Sequence, residues 1–321
     1  MALKNSLFAV SGKASFLDVR RDMSGLFVCD KTTMLPIAGI LDRSQDNLVT
    51  GRGDSMSVTV HPFNAVLNRY GALLIQNDGS VKVPLNAAPS ANSRIDVVYV
   101  KQNETRSPMS DGSDVPTFGV AKGVAAATPV APSVPDGALA LAQVLLPAGV
   151  SNTAASGVVI TQSYIGAAMK GDMLRVQTSA QRDALPSVSE GTLLHNVGDG
   201  NDYVREDGEW RNLTNIKLPE GRWINDWAVD YRCSRSGKTV SIYLKVIRKD
   251  PIWYAKAWDK SQILKFPDYL QPQIVDVNIN GAGVGNSGFQ IDPSGLYVRP
   301  LADVTYTVGS WSSAAFSYTI K

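Results

Sequence analysis

Residues 57–67 read SVTVHPFNAVL, residues 71–85 read GALLIQNDGSVKVPL, and residues 94–101 read RIDVVYVK. Each is a short run rich in Val, Ile, Leu or Tyr, set off by Gly, Asn, Asp or Pro. β-branched and aromatic residues suit a pleated surface, and Gly and Asn supply the backbone angles of turns, so this punctuation is that of strands. Asn77-Asp78-Gly79, lying between LLIQ and VKV, predicts a tight hairpin, because glycine supplies the positive φ such a turn needs. The nearly continuous apolar run from Arg94 to Lys101 predicts a central strand buried on both faces.

Downstream, Thr128–Gly137 is rich in Pro and Ala without helical periodicity and is expected to run extended over the surface. Residues 138–147, ALALAQVLLP, are apolar enough to return to a core as a strand, although their Ala and Leu content also suits a helix. Small residues dominate 151–170. Within them VVITQSYIGAAMK predicts a short helix carrying Val159, Gln162, Ile165 and Met169 along one face, better stabilised in a bundle of identical chains than alone. Thr178 is placed to cap a short helical turn through Leu185. Residues 190–213 form a compact hairpin unit with turns at Asp199-Gly200 and Asp207-Gly208.

After residue 214 the composition shifts. Trp223, Trp227, Trp253, Trp258 and Trp311 lie there, and the sixth tryptophan, Trp210, stands just before; the first 209 residues contain none. Strands are read in TVSIYLKVIRK, QIVDVNIN, GLYVRPL and AAFSYTIK. About a hundred residues of this kind suit one β-sandwich or jelly-roll. The fold class is therefore all-β in three parts: an N-terminal β domain over 1–150, a small helix and β-hairpin neck over 151–214, and a C-terminal sandwich, jelly-roll-like, over 215–321.

Bulk properties narrow the function. With 31 basic and 29 acidic residues the net charge is +2, which offers no large positive field for nucleic acid. No stretch reaches the roughly 20 apolar residues of a membrane span, and no secretory signal is read at the N-terminus. Cys29 and Cys233 are the only cysteines and His61 and His195 the only histidines. A disulfide framework or clustered zinc site needs more, so both cysteines are read as buried small hydrophobes, with a bond between them the lesser alternative. No cofactor and no metal are expected.

Two motif series give the chain a family resemblance. GDSMSVTVHPFNAVL, SRIDVVYVK and PVAPSVPDGALALAQVLLPAG follow one another as in the N-terminal domains of phage tail-tip and upper-baseplate proteins. In that family an Arg-x-Asp enters a central strand (here Arg94-Ile95-Asp96), and a Pro-x-Gly (here Pro135-Asp136-Gly137) precedes an apolar one. Residues 175–210 are similar to the neck module of tail fibres, through Thr178, Arg182, Asp183, Ala184, Leu185, Gly191, Thr192, Tyr203, Gly208 and Trp210. The resemblance implies a homotrimer located in the virion, at the tail tip or baseplate. Its N-terminal domains would join other tail proteins, and its C-terminal heads would meet a host cell-surface polysaccharide. It covers about 50–210; the receptor-binding role of the last module follows from position alone.

Within that module, PIWYAKAWDKSQILKF gathers the candidate ligand-binding residues Trp253, Tyr254, Lys256 and Trp258, with Lys249 and Lys260 nearby. Aromatic faces stack on sugar C–H surfaces, and cations suit acidic or phosphorylated glycans. The competing reading has the rings filling a core or a subunit interface, with WYAKAW as an inward/outward strand alternation. Gly51-Arg52-Gly53-Asp54 contains an Arg-Gly-Asp tripeptide that reads as ordinary turn chemistry, and Asp199, Asn201 and Asp202 read as a hairpin turn rather than a calcium loop. Asn278–Gly288 is glycine-rich but does not lead from a strand into a helix, which excludes a phosphate loop and leaves a flexible tip. Asp226, Asp230, Asp259 and Asp268 show no spacing that marks a catalytic pair. The expectation is a non-enzymatic tail protein that binds a saccharide. One rival is a purely structural adaptor docking another tail protein; a glycan-cleaving depolymerase is the other.

Overall fold

The computed structural model describes residues 15–222, 224–249, 252–273, 277–284 and 288–320, with backbone alone for 277–280. The protein is all-β: short strands dominate, and among the described residues only two α-helices, of nine and five residues, interrupt them. Two compact units result, Met1–Gly200 with Val204–Trp210, and Asn201–Tyr203 with Arg211–Lys321.

The first unit opens on α1 (Phe16–Ser24). The Ser15 hydroxyl accepts the Asp18 N–H at 3.2 Å, and the Asp18 carboxylate accepts the Ser15 N–H at 2.9 Å. This reciprocal cap satisfies two donors that the helix start would leave orphaned. Next come β1 (Gly39–Arg43), β2 (Val49–Gly51), β3 (Ser57–Val60), β4 (Phe63–Asn68) and β5 (Ala72–Asn77). The chain continues through β6 (Val81–Pro84), β7 (Arg94–Gln102), β8 (Pro116–Ala121), β9 (Leu139–Leu146) and β10 (Val159–Gln162). They form three sheets, ordered β1-β4-β5, β2-β3-β6 and β10-β9-β7-β8. Ile40, Val58, Leu67, Val83, Val98 and Leu141, drawn from all three, share one core.

Arg94–Lys101 is central as expected, since β7 pairs with β8 on one side and β9 on the other. The period of two puts Arg94 and Asp96 on the same face. There Arg94 donates to both carboxylate oxygens of Asp96, at 2.8 and 2.9 Å, and also to the Ala87 and Asn86 carbonyls. Gly123 N–H completes the Asp96 shell at 3.0 Å. The Arg-x-Asp motif is thus a buried, fully hydrogen-bonded ion pair, the only form in which such charges are tolerated in a core. Residues 139–146 also form a strand rather than a helix, with Leu139, Leu141, Ala142, Val144 and Leu146 buried.

Two expectations fail here. Asn77-Asp78-Gly79 does not close a hairpin: β5 pairs with β4, while β6 pairs with β3 in another sheet. The turn carries the chain between sheets, and the true hairpin bend is Arg69-Tyr70-Gly71, with φ of 59° at Tyr70 and 136° at Gly71. Residues 159–170 are not a helix either. Val159–Gln162 pairs as β10 with β9, which suits its β-branched run better. The proposed apolar face does not exist, because Val159 and Met169 are 51% and 48% exposed. Gln162 instead behaves as extra backbone, accepting the Val49 N–H at 3.1 Å and donating to the Val49 carbonyl at 2.9 Å. Isolated bridges Phe27–Met169 and Ile40–Gly166 tie the segment that follows to the start of the unit.

The neck residues form β11 (Met173–Val176), α2 (Ser179–Asp183), β12 (Leu193–Asn196), β13 (Asn201–Glu206) and β14 (Glu209–Asn212), one sheet in that strand order. Thr178 caps α2 as expected, its hydroxyl accepting the Gln181 N–H at 3.2 Å. Asp207 and Gly208, with φ of 53° and 75°, make the tight turn between β13 and β14, the geometry that matches strand twist. Not foreseen was the parallel pairing of β11 with β12, which α2 makes possible as the crossover. The division between the two units cuts both β13, after Tyr203, and β14, after Trp210.

The second unit runs through β15 (Trp227–Ser236), β16 (Thr239–Arg248), β17 (Trp253–Ala255), β18 (Ser261–Lys265) and β19 (Val277–Asn280). It ends with β20 (Ala282–Gly283), β21 (Gly288–Asp292), β22 (Gly295–Val298), β23 (Val304–Tyr306) and β24 (Trp311–Thr319). Two four-stranded sheets, β15-β16-β24-β20 and β18-β22-β21-β19, share one core as a sandwich, beside the two-stranded β17-β23. β16 alternates strictly over most of its length: Val240, Ile242, Leu244 and Val246 are buried, while Ser241, Tyr243 and Lys245 are exposed. Each such inward aliphatic contributes about 1.5–3 kcal/mol of transfer free energy. The glycine-rich stretch from Asn278 is not a plain flexible tip. Residues 278–280 belong to a strand and 282–283 to another, and Gly288 opens a third; Gly285, Asn286 and Ser287 lie outside the described residues. Trp223 also lies outside them.

Candidate functional site

β17 puts three consecutive residues on alternating sides. Trp253 turns toward the sandwich, Tyr254 outward with 75% of its surface exposed, and Ala255 inward. Trp253 pairs with Tyr306 across the β17–β23 ladder, and their rings stack at 5.3 Å with 16° between planes. Trp227 meets both edge-on, at 6.1 and 5.4 Å. The Arg248 guanidinium lies 5.0 Å from the Trp227 ring centre and 5.9 Å from that of Trp253. Buried Trp227 donates through Nε1 to Ser261 Oγ at 3.1 Å. Trp253 is therefore a packing residue of this core.

Beyond Ala255 the chain turns sharply. Asp259 N–H donates to the Lys256 carbonyl at 3.1 Å, and the Asp259 carboxylate accepts the Lys256 N–H at 2.8 Å. From the far side, Asp303 Oδ1 accepts the Ala257 N–H at 2.8 Å, and Trp258 N–H donates to the Pro300 carbonyl at 2.9 Å. Trp258 sits at the bend with φ of 73° and is 52% exposed. A bulky side chain at positive φ costs about 1–3 kcal/mol and persists only where its surroundings over-determine it. Four hydrogen bonds do so here. The Arg299 guanidinium covers the ring at 4.8 Å and is itself pinned by donation to Gln290 Oε1 at 2.8 Å.

Of the four residues singled out in the sequence, Tyr254, Lys256 and Trp258 are exposed on one short stretch, while Trp253 belongs to the core side. No protein-family model matches the chain, and the search of curated proteins found no match. The shelf's character is thus read from its own chemistry: exposed aromatic surface, an exposed lysine, and a turn locked from both sides. Sequence reading missed Arg299 and Asp303, which lie more than forty positions away from the turn they brace and carry no local signal.

The other motifs resolve as structure. Arg52 grips Asp54 through Nε and Nη2 at 2.9 and 2.6 Å, so the Arg-Gly-Asp charges satisfy each other. The Arg52 guanidinium also holds the Asp54 carboxyl well below the usual carboxylate range. Asp199 accepts from Asn196 Nδ2 at 2.7 Å, bracing the hairpin turn. Asp226 pairs with Arg248 at 3.5 Å, and Asp268 accepts from Gln271 at 3.0 Å. Among the described residues, no three His, Cys, Asp or Glu side chains are grouped to hold a metal ion, and no helix is long and apolar enough to cross a membrane. Both cysteines are free; Cys29 is half-buried rather than buried, and burial pushes the Cys233 thiol up to about 12.

Proposed function

We propose that this is a tail protein of a virion, trimeric, which joins the tail tip or baseplate through its first unit and binds a cell-surface saccharide through the Tyr254–Trp258 shelf. The single observation that carries the binding role is Trp258: an exposed indole on a strained, four-fold-braced backbone. Strain that the surroundings over-determine recurs at ligand-binding sites, and a large apolar ring left in solvent supports the same reading. The motif order over 50–210 supports virion attachment, as does the buried Arg94–Asp96 pair at the place where the resemblance puts its Arg-x-Asp. Three shelves per trimer, and several trimers per particle, would turn individually weak sugar contacts into useful avidity.

The test is binding of the fluorescently labelled full chain to a panel of bacterial cells, with Tyr254→Ala/Trp258→Ala beside it and light scattering for mass. Saturable binding by a trimer, lost in the double variant, is the expected result. A folded trimer that binds no cells would sink the reading in favour of an adaptor that docks another tail protein, and binding that survives loss of both rings would overturn the Tyr254–Trp258 assignment.

A further inference from the structure

Residues 129–135 read PVAPSVP, with proline at every third position, the repeat of a polyproline II helix. In the structure this stretch has no turn, bend or ladder. Among the described residues, only its last carbonyl, that of Pro135, accepts a backbone N–H, from Ala138 at 3.1 Å. A three-residue repeat sets Val130 and Ser133 along one edge, and both are exposed, Val130 by 78%. Proline holds φ at about −65° before any partner arrives, so ordering such a strap on binding costs little.

Elsewhere on the first unit a cavity of about 350 Å³ opens between segments that are distant in sequence. Ile37, Ile165, Leu185 and Pro186 give it apolar walls, and Asn68 and Ser163 supply polar groups. Gln181, also at the wall, is already engaged: it accepts the Gln177 N–H at 2.7 Å and donates to the Ser163 carbonyl at 2.8 Å. The Ser163 hydroxyl is different. It is buried and has no hydrogen-bond partner among the described residues, and the Asn68 side-chain amide has none there either. A buried hydroxyl left unpaired costs free energy that an arriving acceptor recovers. No residue of the strap lines this cavity in its own copy.

Resting on the trimeric part of the reading above, we infer that the strap of one copy enters the cavity of the next. Val130 seats between the apolar walls, and strap carbonyls accept from Asn68 Nδ2 and Ser163 Oγ. The two surfaces match in chemistry: free acceptors and a projecting aliphatic side chain on one, free donors between aliphatic walls on the other. Because strap and cavity are different patches, the contact is heterologous and repeats from copy to copy until a ring closes; a trimer closes with three of them. Seven residues fall well short of the roughly 20–30 a side of a standard interface. Each contact is therefore weak, and closure of the ring supplies the persistence.

The experiment is light scattering on the full chain over a range of concentrations, with Val130→Asp in the strap and Ala184→Arg at the cavity beside the wild type. Both positions are exposed, so neither substitution disturbs the core, and thermal melts check that each variant folds. The expected result is a trimeric wild type and two monomeric variants. A labelled peptide of residues 128–135 is then titrated onto the Val130→Asp protein, whose cavity is open, and onto Ala184→Arg. Saturable binding to the first, weaker by about ten-fold or more on the second, is expected. A trimer that persists in either variant overturns the inference while leaving the trimeric reading intact, and so does peptide bound equally by both proteins or by neither. Folded wild type that stays monomeric at every concentration defeats the underlying reading instead.

Discussion

Asp303 reaches back across 46 positions of chain to accept the Ala257 N–H at 2.8 Å. Through that bond the β23 side of the second unit holds the turn that presents Trp258. Replacing Asp303 with Ala frees the turn on one side without touching the indole. The expected outcome is a loss of no more than about 1 kcal/mol in stability, with a clear weakening of cell binding as the ring loses its fixed orientation. Urea melts and cell-binding isotherms measure the two effects, and unchanged binding would show that the brace has no part in recognition.

Trp258 itself separates strain from packing. At φ of 73°, alanine retains the Cβ penalty and glycine does not. Trp258→Gly is therefore expected to be more stable than Trp258→Ala by about 1 kcal/mol, with both equally poor in binding. Equal melting midpoints would mean that the backbone relaxes once the indole is gone.

Trp253 and Tyr254 are neighbours with opposite duties. Removing the Trp253 ring takes away its stack on Tyr306 and its edge contact with Trp227, so Trp253→Ala is expected to cost about 3 kcal/mol. Tyr254→Ala, on the open side, should stay within about 0.5 kcal/mol. Thermal melts decide it. A variant that lost Trp253 together with Trp258 would confuse unfolding with loss of a site, which is why the binding test pairs Tyr254 with Trp258.

Asp111 is expected to make the first unit sensitive to acid. Arg69, Lys101 and the Glu104 N–H converge on its carboxylate and hold its pKa well below the usual range, the Arg69 bond being the largest cause. A group depressed in the folded state binds fewer protons there than when unfolded. Its contribution is complete above the unfolded value near 3.9 and is lost as pH falls below that toward the folded one. Urea midpoints are expected to be flat from about pH 7 to 5 and to decline below about pH 4. Asp111→Asn should lower the plateau by about 1–2 kcal/mol, since Arg69 loses its main partner but keeps Glu104 at 3.7 Å and the Gln102 carbonyl at 2.9 Å, and should make the decline shallower. A parallel decline in the variant would assign the acid sensitivity to other carboxylates, Asp54 among them.

Much of the fold was legible where a local pattern dictates it. The strict alternation in β16, the capping threonine at 178 and the Asp207-Gly208 turn are all decided within a few residues. What failed was decided at a distance. Asn77-Asp78-Gly79 has the chemistry of a hairpin turn, yet which strand each arm pairs with depends on competition from β4 and β3. The small residues of 159–170 fit a helix by composition, but the open edge of β9 recruits their β-branched run. The same holds for the shelf: the cluster of rings and lysines could be seen in the sequence, but not its sorting. Whether Trp253 or Tyr254 faces outward depends on the register against Tyr306, and the brace on Trp258 comes from Arg299, Pro300 and Asp303, which nothing local announces.

The bridge between Phe27 and Met169 also sets a schedule. Ribosomes extend a chain at roughly 5–20 residues per second, so about 140 further residues, on the order of ten seconds of synthesis, separate the emergence of the two partners. Throughout that interval the beginning of the first unit waits beside the exit tunnel with its partner unmade. Expression at slowed elongation should therefore leave this segment open to proteases and to neighbouring nascent chains for longer, even though the finished protein gives no sign of the delay.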